Sequence, residues 1–190
     1  MKQVTRSEAW QILREHMKSE SLLKHCLAVE IAMRAYAEKF GEDVEYWGAV
    51  GLLHDVDFEK YPDDHLNHVE ELLEPYGFDE QFCTDIKSHA RDWSSERTLL
   101  QKTLLAVDEM TGFIIACALV RPDKSLDNLE VKSVMKKIKD KAFARAVNRE
   151  LLTSSAEAMG IDFKEHVGFL TRALAHAVKQ PEYQQLPLVG

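Results

Sequence analysis

The residues in this chain whose types could do chemistry are histidines and aspartates set at the edges of apolar helical stretches. The run GAVGLL, Gly48 to Leu53, ends directly in His54 and Asp55. His25 stands one position off the stripe formed by Leu22, Cys26, Val29, Met33, Tyr36 and Phe40. Asp108 interrupts LLAVDEMTGFIIACAL, one turn after Leu104 and Leu105 and one turn before Gly112. His89 shares a face with Phe82 and Ile86, and His68 follows the turn EKYPDD. A lone carboxylate in such a run is costly to bury unless a cation pairs with it or a proton neutralises it. A single histidine on an apolar face is ordinarily a hydrogen-bonded core residue. Several of them, joined by carboxylates on helices that must pack together, offer the mixed imidazole and carboxylate set that suits a divalent transition metal.

Helical periodicity must position these groups, because no segment alternates in the manner of a strand. TRSE (Thr5 to Glu8) reads as a capping box ahead of Trp10, Leu13 and Met17. A second helix ends at Gly41, a third runs from about Val44 to Leu53, and a short one from His65 to Pro75. Asp79 to His89 is helical again, and SSER (Ser94 to Arg97) is expected to cap a long helix from about Thr98 to Val120. VKSVMKKIKDKAFARAVNRELLTSSAEAMG supplies a short helix and a longer one with Gly160 as the C-cap, and DFKE opens the last helix. The expected fold class is all-α, a helical bundle of about eight or nine helices in one domain spanning residues 1–190.

His25, His54-Asp55 and Asp108, in the contexts SLLKHCLAVE, GLLHDVD and LLAVDEMTG, resemble the H…HD…D signature of the HD superfamily of metal-dependent phosphohydrolases. The resemblance covers about residues 21–120, with residues 121–180 as a C-terminal helical extension. It implies that His25, His54, Asp55 and Asp108 hold one divalent ion. His68 and His89 stand where some members bind a second ion, with His65 the alternative if His68 points away. The implied reaction is hydrolysis of a phosphoester of a small metabolite or nucleotide by metal-activated water, with Asp55 bridging the ions if there are two. Asp57 reads either as a group that orients the water or acts as general acid or base, or as a solvated carboxylate in an acidic turn. The HDIGK form of the family carries Lys where this chain has Phe58, which argues against cyclic-dinucleotide hydrolysis. The ligand types accommodate Mn, Fe, Co, Ni, Zn or Mg without choosing among them.

Lys24, Arg91 and Lys132 are candidates for gripping phosphate. Lys132 belongs to the basic cluster VKSVMKKIKDK, which reads either as a lid over the metal pocket or as a solvated face. His16, His65, His166 and His176 show no coherent spacing with the others, and His16 and His166 are expected to be partly exposed. A net charge of −8 argues against a nucleic-acid polymer as partner. No run reaches membrane-spanning length, and the three cysteines show no CxxC spacing, so buried free thiols and a cytoplasmic location are expected. The rival readings are a non-catalytic metal- or nucleotide-binding regulatory module, and a bundle whose polar residues merely hydrogen-bond across helices.

Overall fold

The computed structural model describes residues 4–189. Among these the chain forms nine α-helices and no strand: α1 (Arg6–His16), α2 (Glu20–Phe40), α3 (Val44–Leu53), α4 (Val69–Leu73), α5 (Glu80–Lys87), α6 (Leu99–Leu119), α7 (Val131–Lys139), α8 (Arg149–Ala158) and α9 (Phe163–Ala177). The all-α helical bundle expected from periodicity is the architecture observed. Thr5 and Glu8 cap α1 reciprocally, with Thr5 Oγ1 accepting from the Glu8 amide at 3.3 Å and Glu8 Oε2 from the Thr5 amide at 2.9 Å. Asp43, Asp79, Asn148 and Asp162 cap α3, α5, α8 and α9 through their side chains.

Two boundaries differ from expectation. The box that opens α6 is Thr98 with Gln101, not SSER, because Arg97 turns back to donate to the Ser88 and Ala90 carbonyls at 2.8 and 2.7 Å. The expected helix from His65 shrinks to the five residues of α4. Leu66 has a left-handed backbone, φ 73°, and a buried side chain, so His65 lies in a turn.

α2 is the central helix. It packs on α3, α6 and α9, and its whole middle, from Cys26 to Met33, is buried. The approach of α3 is close. A Cβ on Gly51 would stand 2.8 Å from Met33 Cγ and 3.1 Å from the Val29 carbonyl, so only glycine fits there without displacement. Three buried polar groups join the helices. Glu30 on α2 is fully buried and takes Arg6 of α1 at 2.7 Å and Arg34 at 2.9 Å. Asp85 on α5 accepts from Tyr46 at 2.7 Å and from Gln101 at 2.7 Å, tying α3, α5 and α6. Leaving either carboxylate unpaired would cost several kcal/mol, so each enforces the packing around it.

The third is His166 of α9, which is fully buried rather than partly exposed. Its Nε2 donates to the Ala106 carbonyl of α6 at 3.1 Å, and its Nδ1 accepts from Tyr36 of α2 at 2.6 Å. Burial pushes its pKa down to about 4, which keeps the ring neutral and suited to this one tautomer. Cys26, Cys83 and Cys117 are buried free thiols. No helix among the described residues is long and apolar enough to cross a membrane.

Candidate metal centre

α2, the end of α3, the turns after α3 and α5, and the middle of α6 converge on one cluster. His25 reaches it from α2, one residue before Cys26, whose side chain faces the core. His54 is the C-cap of α3, and the chain turns over residues 54–60 to deliver Asp55 beside it. His25 Nε2 lies 3.0 Å from His54 Nε2, 3.0 Å from Asp108 Oδ1 and 3.4 Å from Asp55 Oδ2. His54 Nε2 lies 3.4 Å from the same Asp55 oxygen and 3.5 Å from Asp108 Oδ1.

The other oxygen of Asp55 faces a second group. Oδ1 stands 3.2 Å from His65 Nε2 and 3.6 Å from His89 Nε2. His25, His54 and Asp108 therefore form one metal-sized constellation, and Asp55, His65 and His89 another. One carboxylate lies between them, with an oxygen toward each.

Second hydrogen bonds fix the direction of three of the rings. His54 Nδ1 donates to the Gly51 carbonyl at 2.9 Å, and His89 Nδ1 to the Ile86 carbonyl at 2.6 Å. His65 Nδ1 donates to Asp57 Oδ1 at 2.8 Å. In the neutral ring each of these bonds leaves the lone pair on Nε2, the atom aimed at Asp55 and its neighbours. Two imidazole lone pairs converging 3.0 Å apart, as at His25 and His54, repel unless a proton or a cation lies between them. The donor set and its outer hydrogen bonds thus fit a divalent transition metal.

The electrostatics carry the same message. Burial alone would lower the pKa of His25, but the hydrogen bonds to Asp108 and Asp55 outweigh it and raise it to about 10. Burial also opposes protonation of His65, and Asp55 and Asp57 together lift it to about 9. His89 is raised for the same reason, mainly by Asp55. Burial would raise Asp55 and Asp108, yet the imidazoles hold both carboxyls well below the usual carboxylate range. Two largely covered anions are thus balanced by protonated rings, and a divalent cation can take over that charge.

The expected second-group residue His68 is not in the cluster. Its Nε2 bonds Asp64 at 2.9 Å, its Nδ1 bonds Glu71 at 3.0 Å, and its ring stacks on Tyr61 with centroids 3.6 Å apart. The left-handed turn at Leu66 swings His65 inward in its place. Asp57 is likewise not the water-facing acid or base anticipated for it. It is fully buried, with Oδ1 taken by His65 and Oδ2 by the Leu66 amide at 2.6 Å. Asp57 holds both the ring and the turn that presents it. Asp57→Asn offers one acceptor where two donors arrive, so affinity for an ion on the His65 side should fall about 10- to 100-fold while the His25 side keeps its ion. Metal titration followed at two stoichiometric steps checks this.

Three further residues complete the surroundings. Lys24 is half-buried beside His25 and forms no ion pair among the described residues. Arg91 is exposed and pairs with Glu109, the neighbour of Asp108, which also accepts from the Asn148 amide at 3.0 Å. Lys132 is exposed on α7 and pairs with Glu130 at 2.8 Å, with no contact to the cluster. Sequence reasoning passed over Arg97, whose bonds to the carbonyls on either side of His89 clamp that histidine in position. Its signal is a cation inside a helix-start pattern that a serine cap did not need.

A search of curated proteins finds no match to this chain, and a search of solved structures finds none either. A family model does match, over residues 22–135, a span of more than half of the 190 residues that includes every histidine and aspartate of the two constellations. The chain belongs to the HD domain family, whose members are mostly metal-dependent hydrolases.

Proposed function

We propose that this protein is a metal-dependent phosphohydrolase that cleaves a phosphoester of a small metabolite or nucleotide. The observation that carries the reading is Asp55, whose two oxygens each face a separate set of ligand-type nitrogens. A bound divalent ion supplies positive charge to a phosphoryl oxygen and lowers the pKa of water toward neutrality. The chain's own part is to hold that chemistry in place. His25, His54 and Asp108 would bind one ion, His65 and His89 a second, and Asp55 both. Asp57 and the Gly51 and Ile86 carbonyls keep the rings aimed inward. Lys24, which forms no ion pair among the described residues, and Arg91, which a phosphate can draw away from Glu109, are the proposed grips on the substrate's anionic group.

The test is hydrolysis of p-nitrophenyl phosphate, bis-p-nitrophenyl phosphate and a nucleotide panel by protein loaded in turn with Mn, Fe, Co, Ni, Zn and Mg. Turnover that a chelator removes and metal restores, and that His54→Ala lacks, is the expected result. Stoichiometric metal without turnover of any phosphoester would refute catalysis and leave a metal-binding regulatory module.

A further inference from the structure

A cavity of about 710 Å³ opens at the far end of α6, bounded by α7 and by the connection between them. Its lining holds four cations, Arg121, Lys136, Lys137 and Lys139, against a single carboxylate, Asp140. Lys136 and Lys139 form no ion pair among the described residues, in a chain whose net charge is −8. Lys137 lies over the Phe143 ring at 4.7 Å, and Arg121 is braced by Asp123 and the Asn128 carbonyl. Unpaired like charges gathered in a concavity of an acidic protein repel one another until an anion joins them.

The rest of the lining is aliphatic. Cys117 and Leu129 are buried at its floor, and Val120 stands at its rim 58% exposed beside the exposed Leu119. Both side chains leave about half of their surface to solvent at this helix end, and Val120 faces the cavity. No aromatic ring lines the cavity, so it offers nothing to stack on a nucleobase. This cavity is separate from the metal centre. Cys117 is nine residues beyond Asp108 on the same helix, which places it about 13 Å along the axis and roughly half a turn around.

We infer that this cavity is a binding site for a small multiply charged phosphate ester with an aliphatic body, of which an alkyl or alkenyl diphosphate is the type. The lysines take the phosphate oxygens as charge-assisted partners, Arg121 stays bound to Asp123, and Val120, Cys117 and Leu129 take the hydrocarbon. The concave shape and the volume suit a small ligand. A nucleic-acid polymer would meet the −8 charge of the whole chain. The inference goes beyond the proposed hydrolase activity and does not depend on it.

The experiment is calorimetric titration of the full chain, without added divalent ions, using inorganic pyrophosphate and isopentenyl diphosphate as probes. Isopentenyl diphosphate should bind about tenfold more tightly, since its chain removes apolar surface from water. The double substitution Lys136→Ala, Lys139→Ala should weaken both probes at least about tenfold, while His54→Ala should leave both unchanged. Binding lost in His54→Ala, or untouched by the lysine substitutions, would overturn the assignment by moving the ligand to the metal centre or elsewhere. Equal affinities for the two probes would overturn the aliphatic class. Adsorption to phosphatidylserine vesicles with no binding of either diphosphate would overturn it in favour of a membrane contact.

Discussion

Asp55→Ala is expected to leave no metal that survives dialysis, and phosphoester hydrolysis at background. Among the described residues Asp55 alone faces all four histidines, with Oδ2 3.4 Å from His25 and His54 and Oδ1 3.2 and 3.6 Å from His65 and His89. An outer partner such as Asp57 is worth about 10- to 100-fold in affinity, so a ligand shared by both constellations should exceed that, on the order of 1000-fold at each. The substitution also removes the anion that balances protonated rings in the metal-free chain, so some loss of stability is expected with it. Asp55→Asn separates the two effects, because it keeps the side-chain volume and supplies one neutral oxygen. Metal analysis by mass spectrometry after dialysis, alongside a thermal melt, reads both. A folded Asp55→Ala protein that retains two equivalents of metal would remove Asp55 from the site.

Metal uptake should release at least about two protons per fully loaded chain at neutral pH. His25 at about 10 and His65 at about 9 both carry a proton there in the metal-free protein, and each must give it up to become a ligand. The apparent affinity for two ions together should therefore rise by at least about 100-fold between pH 7 and 8. Calorimetry in buffers of different ionisation enthalpy counts the protons directly, and a release near zero would contradict the protonated cluster. Stability moves the opposite way. Both folded pKa values lie above the ordinary histidine value of 6.5, so the stabilisation is fully present below about pH 6.5. It is lost as pH rises through about 9 to 10. The metal-free chain should melt at falling temperature across that window, and the metal-loaded chain should not.

Most of the helical architecture was legible because each helix carries its own local signals. The Thr5 and Asp162 caps, the stops at Gly41 and Gly160 and the apolar stripe of α2 are short-range features, and the structure contains all of them. The same local reading failed at SSER, where the serine pattern matched a cap but Arg97 was already committed to the carbonyls around His89. It failed at His166 too. Histidine at that position looks like a solvated residue until Tyr36 and Ala106, from helices 130 and 60 residues away in sequence, supply partners for both nitrogens.

The division runs through the metal centre itself. The sequence alone determined an all-helical chain, because periodicity and caps are local signals, and its resemblance to the HD signature is what singled out His25, His54, Asp55 and Asp108. Tertiary structure decided the second group. His65 and His68 are three residues apart in one turn-rich stretch, and nothing in their spacing ranks one above the other. The choice is made by Asp57, which is buried only when the chain folds back, and which then binds the Leu66 amide and the His65 ring together. That pair of bonds holds Leu66 left-handed and turns His65 toward Asp55, while His68 is left to Asp64 and Glu71. A helix face can be read from a period of 3.6, but a turn's direction depends on the buried acceptor that closes it.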